Sequence, residues 1–236
     1  MDISKGMIDM NKIARRISLC LTALSIGAVT VFAAPAAAPK GPSELSADTV
    51  TYDMKNDIMI AKGNVVMITT DGKATGDYAE YHNKNKSGKI TGNVVADKGD
   101  IHLECNEFYV DNQNHFTAVG NVKAKQKDKS YVGPKAEFFQ DQQYVRMEQG
   151  GTVIGKDSSI TADFMEGWTD QEHFIGRGNC HIVSAPKNFE GGGDNAEYWG
   201  KEEGKTVLTG NAWAMQDDNM MRGKVITALL NQQPVE

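Results

Sequence analysis

The sequence predicts an all-β fold: an elongated β-jellyroll or solenoid of stacked two-strand repeats, each about 29 residues long. Three observations carry that expectation. A Gly-Asn landmark returns along the chain, a second landmark keeps the same period out of phase with it, and apolar residues alternate with polar ones between the turns.

The first landmark stands at Gly63-Asn64, Gly92-Asn93, Gly120-Asn121, Gly178-Asn179 and Gly210-Asn211, with Gly151-Thr152 as a degenerate copy. Successive glycines are 29, 28, 31, 27 and 32 residues apart. The second landmark, typified by Gly76-Asp77-Tyr78-Ala79, centres on Asp48, Asp77, Asn106, Pro134, Asp163, Asp194 and Lys224. Two positions after each Gly of the first landmark stand Val65, Val94, Val122, Val153, Cys180 and Ala212, all apolar or small. Alternation of this kind marks a strand with one buried face. In the other segments, Ala74, Gly76, Ala79 and Tyr81 share one face if a bulge falls at Asp77. Turn residues separate the segments, as in Asp71-Gly72, Lys98-Gly99-Asp100 and Asn83 to Gly88. Seven segments of one kind and six of the other give about thirteen strands. At ~4.8 Å per rung, seven rungs reach about 30–35 Å.

Ahead of the repeats, Lys5, Lys12, Arg15 and Arg16 precede an apolar run from Ile17 to Phe32. With small residues at Val31 and Ala33, this reads as a signal peptide, 1–33, cleaved after Ala33. An uncleaved anchor is the alternative. An Ala/Pro-rich linker (34–42), the repeat domain (43–230) and a short tail (231–236) complete the expected organisation. Without the signal peptide the chain carries 21 basic and 29 acidic residues, a net charge of −8. That balance excludes nucleic acid as a partner, because phosphate contacts need clustered Lys and Arg.

Strand parity assigns an inner face to Leu45, Ala47, Val50, Tyr52, Met59, Ala61, Val65, Met67, Ala79, Tyr81, Ile90, Val94, Leu103, Phe108, Val110, Phe116, Ala118, Val122, Phe138, Val153, Ile160, Met165, Phe174 and Ile182. The many inward alanines are expected to leave room for an apolar ligand. Cys105 and Cys180 are read as inward-facing and unpaired, about two rungs or ~10 Å apart, beyond disulfide reach.

Segments such as Leu45-Ser-Ala-Asp-Thr-Val-Thr-Tyr52 and Ile60-Ala-Lys-Gly-Asn-Val-Val66 resemble the repeat signature of the OstA-like family of lipopolysaccharide-transport proteins. The resemblance covers residues from about Ser43 to Leu230. It implies a periplasmic carrier or bridge whose interior shields lipopolysaccharide acyl chains. It also implies strand-edge pairing with an inner-membrane C-type partner and an outer-membrane D-type partner, and head-to-tail self-association. Within the family the chain is similar to the A-type bridge more than to the C-type anchor.

No enzyme, cofactor or metal is expected. The acidic column (Asp48, Asp77, Asp163, Asp194) and Glu80, Glu137 and Glu197 read as a solvated face. The five histidines show no ligand spacing, and Gly191 to Asp194 lacks the repeat of a calcium-binding nonapeptide. Trp213 falls at an outward offset. Two other readings remain: an envelope scaffold with a packed core, and a β-helix protein acting on carbohydrate.

Overall fold

Alternating residues with one apolar face can be satisfied only as strands that stack their faces together, and in the computed structural model they do. The structure describes residues 44–230 except 69–71, 113–114, 127–128 and 201–203; the expected signal peptide, linker and C-terminal tail lie outside the described residues. The strands are β1 (Glu44–Ser46), β2 (Thr49–Asp53), β3 (Ile58–Ile68), β4 (Gly72–His82), β5 (Ser87–Lys98), β6 (Ile101–Asn112), β7 (His115–Gln126), β8 (Lys129–Phe139), β9 (Tyr144–Met147), β10 (Gly151–Ile154), β11 (Ser158–Ala162), β12 (Phe164–Trp168), β13 (His173–Ser184), β14 (Phe189–Trp199), β15 (Lys205–Gln216) and β16 (Asn219–Leu229). Helical structure among the described residues is limited to two single 3₁₀ turns, Gln140–Gln142 and Ala185–Lys187.

All strands belong to one antiparallel sheet in which each segment pairs with the next in sequence. Three segments are each broken in two (β1/β2, β9/β10 and β11/β12), so sixteen strands fill thirteen segments, the number expected. Each segment is its own rung, however. Twelve spacings of ~4.8 Å give a stack of about 55 Å, well beyond the 30–35 Å expected from seven rungs. The same miscount placed the cysteines too close. Five strand spacings separate β6 from β13, or ~24 Å, and Cys105 and Cys180 are buried and free.

The sheet folds along a line of bulges. Between Lys62 and Val65 the pairing of β3 with β4 slips, with Gly63 at φ 74° and Asn64 at φ 49°. Glycine and asparagine tolerate this left-handed backbone best, which is why the pair recurs. The out-of-phase landmark supplies the cap. Asp48 donates its backbone N–H to the Gly63 carbonyl at 2.8 Å, and its carboxylate accepts from the Asn64 amide at 3.1 and 3.2 Å. Asp163 with Asn179 (2.6 Å) and Asp194 with Asn211 (3.0 Å) repeat the arrangement. The aspartates are exposed, as expected, but they clip the fold line rather than merely solvating a face. A side chain at Gly63 would put Cβ 2.1 Å from the Asp48 carboxylate. Asn179→Ala should therefore cost about 2–3 kcal/mol, from the left-handed backbone and the lost bond together. Urea unfolding checks this; a loss under about 0.5 kcal/mol would deny the clip its role.

The degenerate copy is shifted from its expected place. The positive φ falls at Gly150 (79°), and the residues flanking it on the inner face are Met147 and Gly151, four apart like Ala61 and Val65. The copy is thus Gln149-Gly150, and Val153 occupies the next inward position after the one expected. The shift is two residues, so parity survives.

The fold gives the interior a wedge-shaped section. Small residues sit beside the fold line (Ala61, Ala79, Ala118, Ala136, Gly176, Ala196), and two positions further out stand Met59, Tyr81, Phe116, Phe138, Phe174 and Tyr198. Ala61 pairs with Ala79 and Ala118 with Ala136, where the two halves converge. The alanines therefore permit close approach at the fold line, and they also stand in the walls of the cavities described below.

Two apolar clusters fill the wedge. One gathers Met59, Val65, Tyr81, Val94, Leu103, Phe108 and Phe116 with their neighbours; the other gathers Met147, Met165, Ile182, Phe189, Leu208 and Ala214. The divide falls at the broken segments. Across it on the outer face runs a feature that strand parity alone did not expose: a file of rings, His115, Phe139, Tyr144, Trp168, His173 and Trp199. Their centroids are 4.4–5.6 Å apart, each ring on a cross-strand neighbour of the last. Such pairs add roughly 0.5–1.5 kcal/mol each beyond burial, reinforcing the sheet where its ladder is interrupted.

Candidate functional site

The apolar interior is the candidate site. Of the residues assigned to it by parity, Met59, Ala61, Val65, Met67, Ala79, Tyr81, Ile90, Val94, Leu103, Phe108, Phe116, Ala118, Val122, Phe138, Met165, Phe174 and Ile182 are buried. Leu45, Ala47, Tyr52 and Val110 are half-buried against the first cluster, and Val153 and Ile160 against the second. Val50 departs from the expectation of burial. It pairs with Ala61 and so faces inward, yet it is 47% exposed because β2 is the edge strand among the described residues.

Three stretches of the interior open as cavities. A cavity of about 40 Å³ lies near the first strands, lined by Leu45, Met59, Ala61, Met67, Ala79, Tyr81, Ile90, Phe108 and Val110. A central cavity of about 310 Å³ follows, with Leu103, Phe108, Phe116, Ala118, Val122 and Phe138 in its wall. Further along, about 130 Å³ is enclosed by Val153, Ile160, Phe174 and Ile182 together with Tyr198 and Leu230. Phe108 belongs to the walls of the first two. The central volume falls within the range of small-molecule sites, roughly 300–1,000 Å³. Val94 and Met165, at 1% and 2% exposure, are packing residues on none of these walls.

Parity missed some of the central wall: Ile101, Tyr131, Ala136 and Val145. Ile101 and Ala136 share the inward parity of Leu103 and Phe138, so the signal was present. Tyr131 and Val145 lie on β8 and β9 beside the broken segments, where the shifted landmark hid the register. Burial and the charge of Glu172 raise the pKa of Tyr131, keeping the phenol neutral.

The margins of the folded sheet are polar. Gln126, Lys129, Gln143, Thr169 and Glu172 rim the central cavity, and the Lys129 ammonium stands 3.5 Å from the Glu172 carboxylate. A site with apolar walls and a polar mouth suits an amphiphile: tails inside, head group at the rim.

Nothing in the wall is arranged for covalent chemistry. Burial pushes the thiols of Cys105 and Cys180 up to about 11, so both stay protonated at neutral pH. The histidines face outward and are committed to carboxylates: His82 to Glu80 (2.7 Å), His102 to Asp97 (2.6 Å), His115 to Asp111 (2.9 Å), His173 to Glu197 (2.8 Å) and His181 to Glu190 (2.8 Å). Glu80 is half-buried between Tyr78 and His82, which draw its pKa down to about 2. Glu137 corrects the solvated-face expectation. It is 7% exposed, held by Lys135 at 2.5 Å and Arg146 at 2.6 Å. Gly191 to Asp194 has a packing explanation: Cβ atoms at Gly191 and Gly192 would press on Leu208 and Trp213, and Asp194 clips a bulge. Trp213 lies on the outer face, its ring stacked on His181 at 6.0 Å. No group of three or more metal-ligating side chains occurs among the described residues, and no helix among them is long and apolar enough to cross a membrane.

No curated protein matches the chain. Among solved structures, the chain is similar to LptH from Pseudomonas aeruginosa, the LptA-homologous periplasmic component of its lipopolysaccharide transport device. The identity is 18%, covering 60% of this chain and 94% of that one, with a TM-score of 0.34. The family model described as LptA/(LptD N-terminal domain) LPS transport protein matches residues 73–173 and 104–234, well over half of the sequence. The chain therefore belongs to the LptA and LptD N-terminal domain family of lipopolysaccharide-transport proteins.

Proposed function

We propose that this protein is a periplasmic carrier that shields the acyl chains of lipopolysaccharide between the inner and outer membranes. The observation that carries the reading is the interior itself: an apolar wedge with a polar-lipped central cavity of about 310 Å³. A buried methylene is worth ~0.8 kcal/mol, so a twelve-carbon chain gains on the order of 10 kcal/mol by entering it. The closely filled ends of the wedge favour the packed scaffold instead, and for that reason the test must read lipid directly.

Among the described residues both sheet edges are open, which suits joining to family partners or to further copies by strand pairing. At one edge Val50 is exposed beside Glu44, Asp48 and Asp53; at the other Met220, Met221, Val225 and Leu229 are exposed beside Arg222 and Lys224. The edges thus carry opposite charge. Stable secreted proteins blunt such edges; these remain as bonding surfaces.

A photoreactive amino acid at Phe116 or Phe138 in cells should yield lipopolysaccharide adducts, whereas Lys62 and Glu80 on the outer face should yield none. At Val50 and Val225 the same probe should capture protein. Folded, exported protein without lipid adducts at either phenylalanine would return the scaffold reading.

A further inference from the structure

We infer that Lys129 and Glu172 form a gate across the mouth of the central cavity, and that an acyl chain passes sideways into the interior when this pair parts. The inference rests on the carrier reading above. The two residues come from opposite margins of the folded sheet. Lys129 opens β8, and Glu172 closes the β12–β13 turn. Both have inward parity: Lys129 pairs with Gln126, two positions from Ala124, and Glu172 stands two positions before the buried Phe174. Their charged groups meet at 3.5 Å and line both the central cavity and the one beyond it.

The other ion pairs named above join neighbours within a strand, across a turn or on adjacent strands. This one closes the wedge at its open side. Its position coincides with the divide between the two apolar clusters, where β9/β10 and β11/β12 are interrupted. On the outer face of the Glu172 margin, the file of stacked rings is continuous across the break. The molecule therefore has one reinforced margin and a weak ladder at one level, with the Lys129–Glu172 contact spanning the front. Both members are half-exposed, at 45% and 42%, so water and salt compete for them. A contact of that strength yields readily and re-forms.

The test uses the whole secreted chain and a dansyl-labelled twelve-carbon fatty acid, followed by stopped-flow fluorescence. Cys105→Ala and Cys180→Ala remove the native thiols; Lys129→Cys and Glu172→Cys then accept a thiol-cleavable bis-maleimide. Tethered protein should take up the probe at least tenfold more slowly, and cleavage of the tether should restore the rate. In the otherwise native chain, Lys129→Met should speed uptake about fivefold. It should also abolish the acceleration that added salt produces in the unaltered protein. Equal rates with and without the tether would overturn the gate while leaving the carrier intact. Failure of every form, tethered or free, to bind the probe would overturn the carrier reading itself.

Discussion

Leu208→Ala is expected to lower the melting temperature by about 5–15 °C. Leu208 has no exposed surface and stands at the centre of the second apolar cluster, between Ala196 on β14 and Ile226 on β16. Removing a buried leucine side chain costs about 2–5 kcal/mol, the upper part of the range where surrounding atoms cannot collapse. Here they cannot. A Cβ at Gly191 would stand 2.9 Å from Leu208 Cδ1, and the backbone is paired on both sides from Lys205 to Thr209, up to the bulge. A chain of this length moves by about 2–4 °C per kcal/mol. Leu229→Ala, at 41% exposure on the neighbouring strand β16, is the matched control and should move the transition by less than about 2 °C. Calorimetry on both decides it. Similar melting points for the two variants would mean that the second cluster does not hold this end of the stack.

Glu137 should show opposite pH dependence in the native chain and in a Lys135→Met/Arg146→Met variant. Burial alone would raise the pKa of this carboxyl, but bonds from Lys135 and Arg146, and their charges, bring it below its ordinary value. A group whose folded pKa is depressed contributes stability above its unfolded value, near 4.5; that stability is lost as pH falls through the folded value. Without its two strong cations the carboxylate is left buried with the His115 ring 4.0 Å away in their place, at a cost of up to about 3–5 kcal/mol at neutral pH. Its pKa must then rise, so lowering the pH towards 5 protonates it and recovers part of the loss. Urea midpoints at pH 7 and pH 5 test the sign. If both proteins lose stability in parallel over this interval, the Lys135–Glu137–Arg146 cluster is a surface ornament.

Much of this architecture is legible in the residues because its constraints are local. The left-handed bulge demands Gly-Asn, its clip demands Asp one strand earlier, and a sheet folded on one face demands alternation; each leaves a mark at fixed spacing. Inward parity could thus be read for residues as far apart as Leu45 and Ile182. Two things could not be read. How many spacings a repeat contributes depends on whether its two segments lie side by side or face to face, and both arrangements give the same period. Whether alanine means space or contact depends on the angle between the halves, which no single strand records. The gate pair and the ring file belong to this second kind. Lys129 and Glu172 meet only because the sheet closes on itself. The six rings, His115 to Trp199, align only because their pairing registers do.

The number of segments has a consequence for polarity. Among the described residues, thirteen segments, each antiparallel to the last, leave the first and last running in the same direction. The terminal slots also correspond: Leu45 to Met221, Ala47 to Gly223, Asp48 to Lys224 and Val50 to Ile226 share face and distance from the fold line. A copy added by simple translation would meet its neighbour through parallel strands, with the inner faces in line and Asp48 set against Lys224. Such an array has a direction, like an arrow repeated tip to tail. Its two ends stay distinct however many copies it contains, so its span could change by whole molecules without altering what either membrane meets.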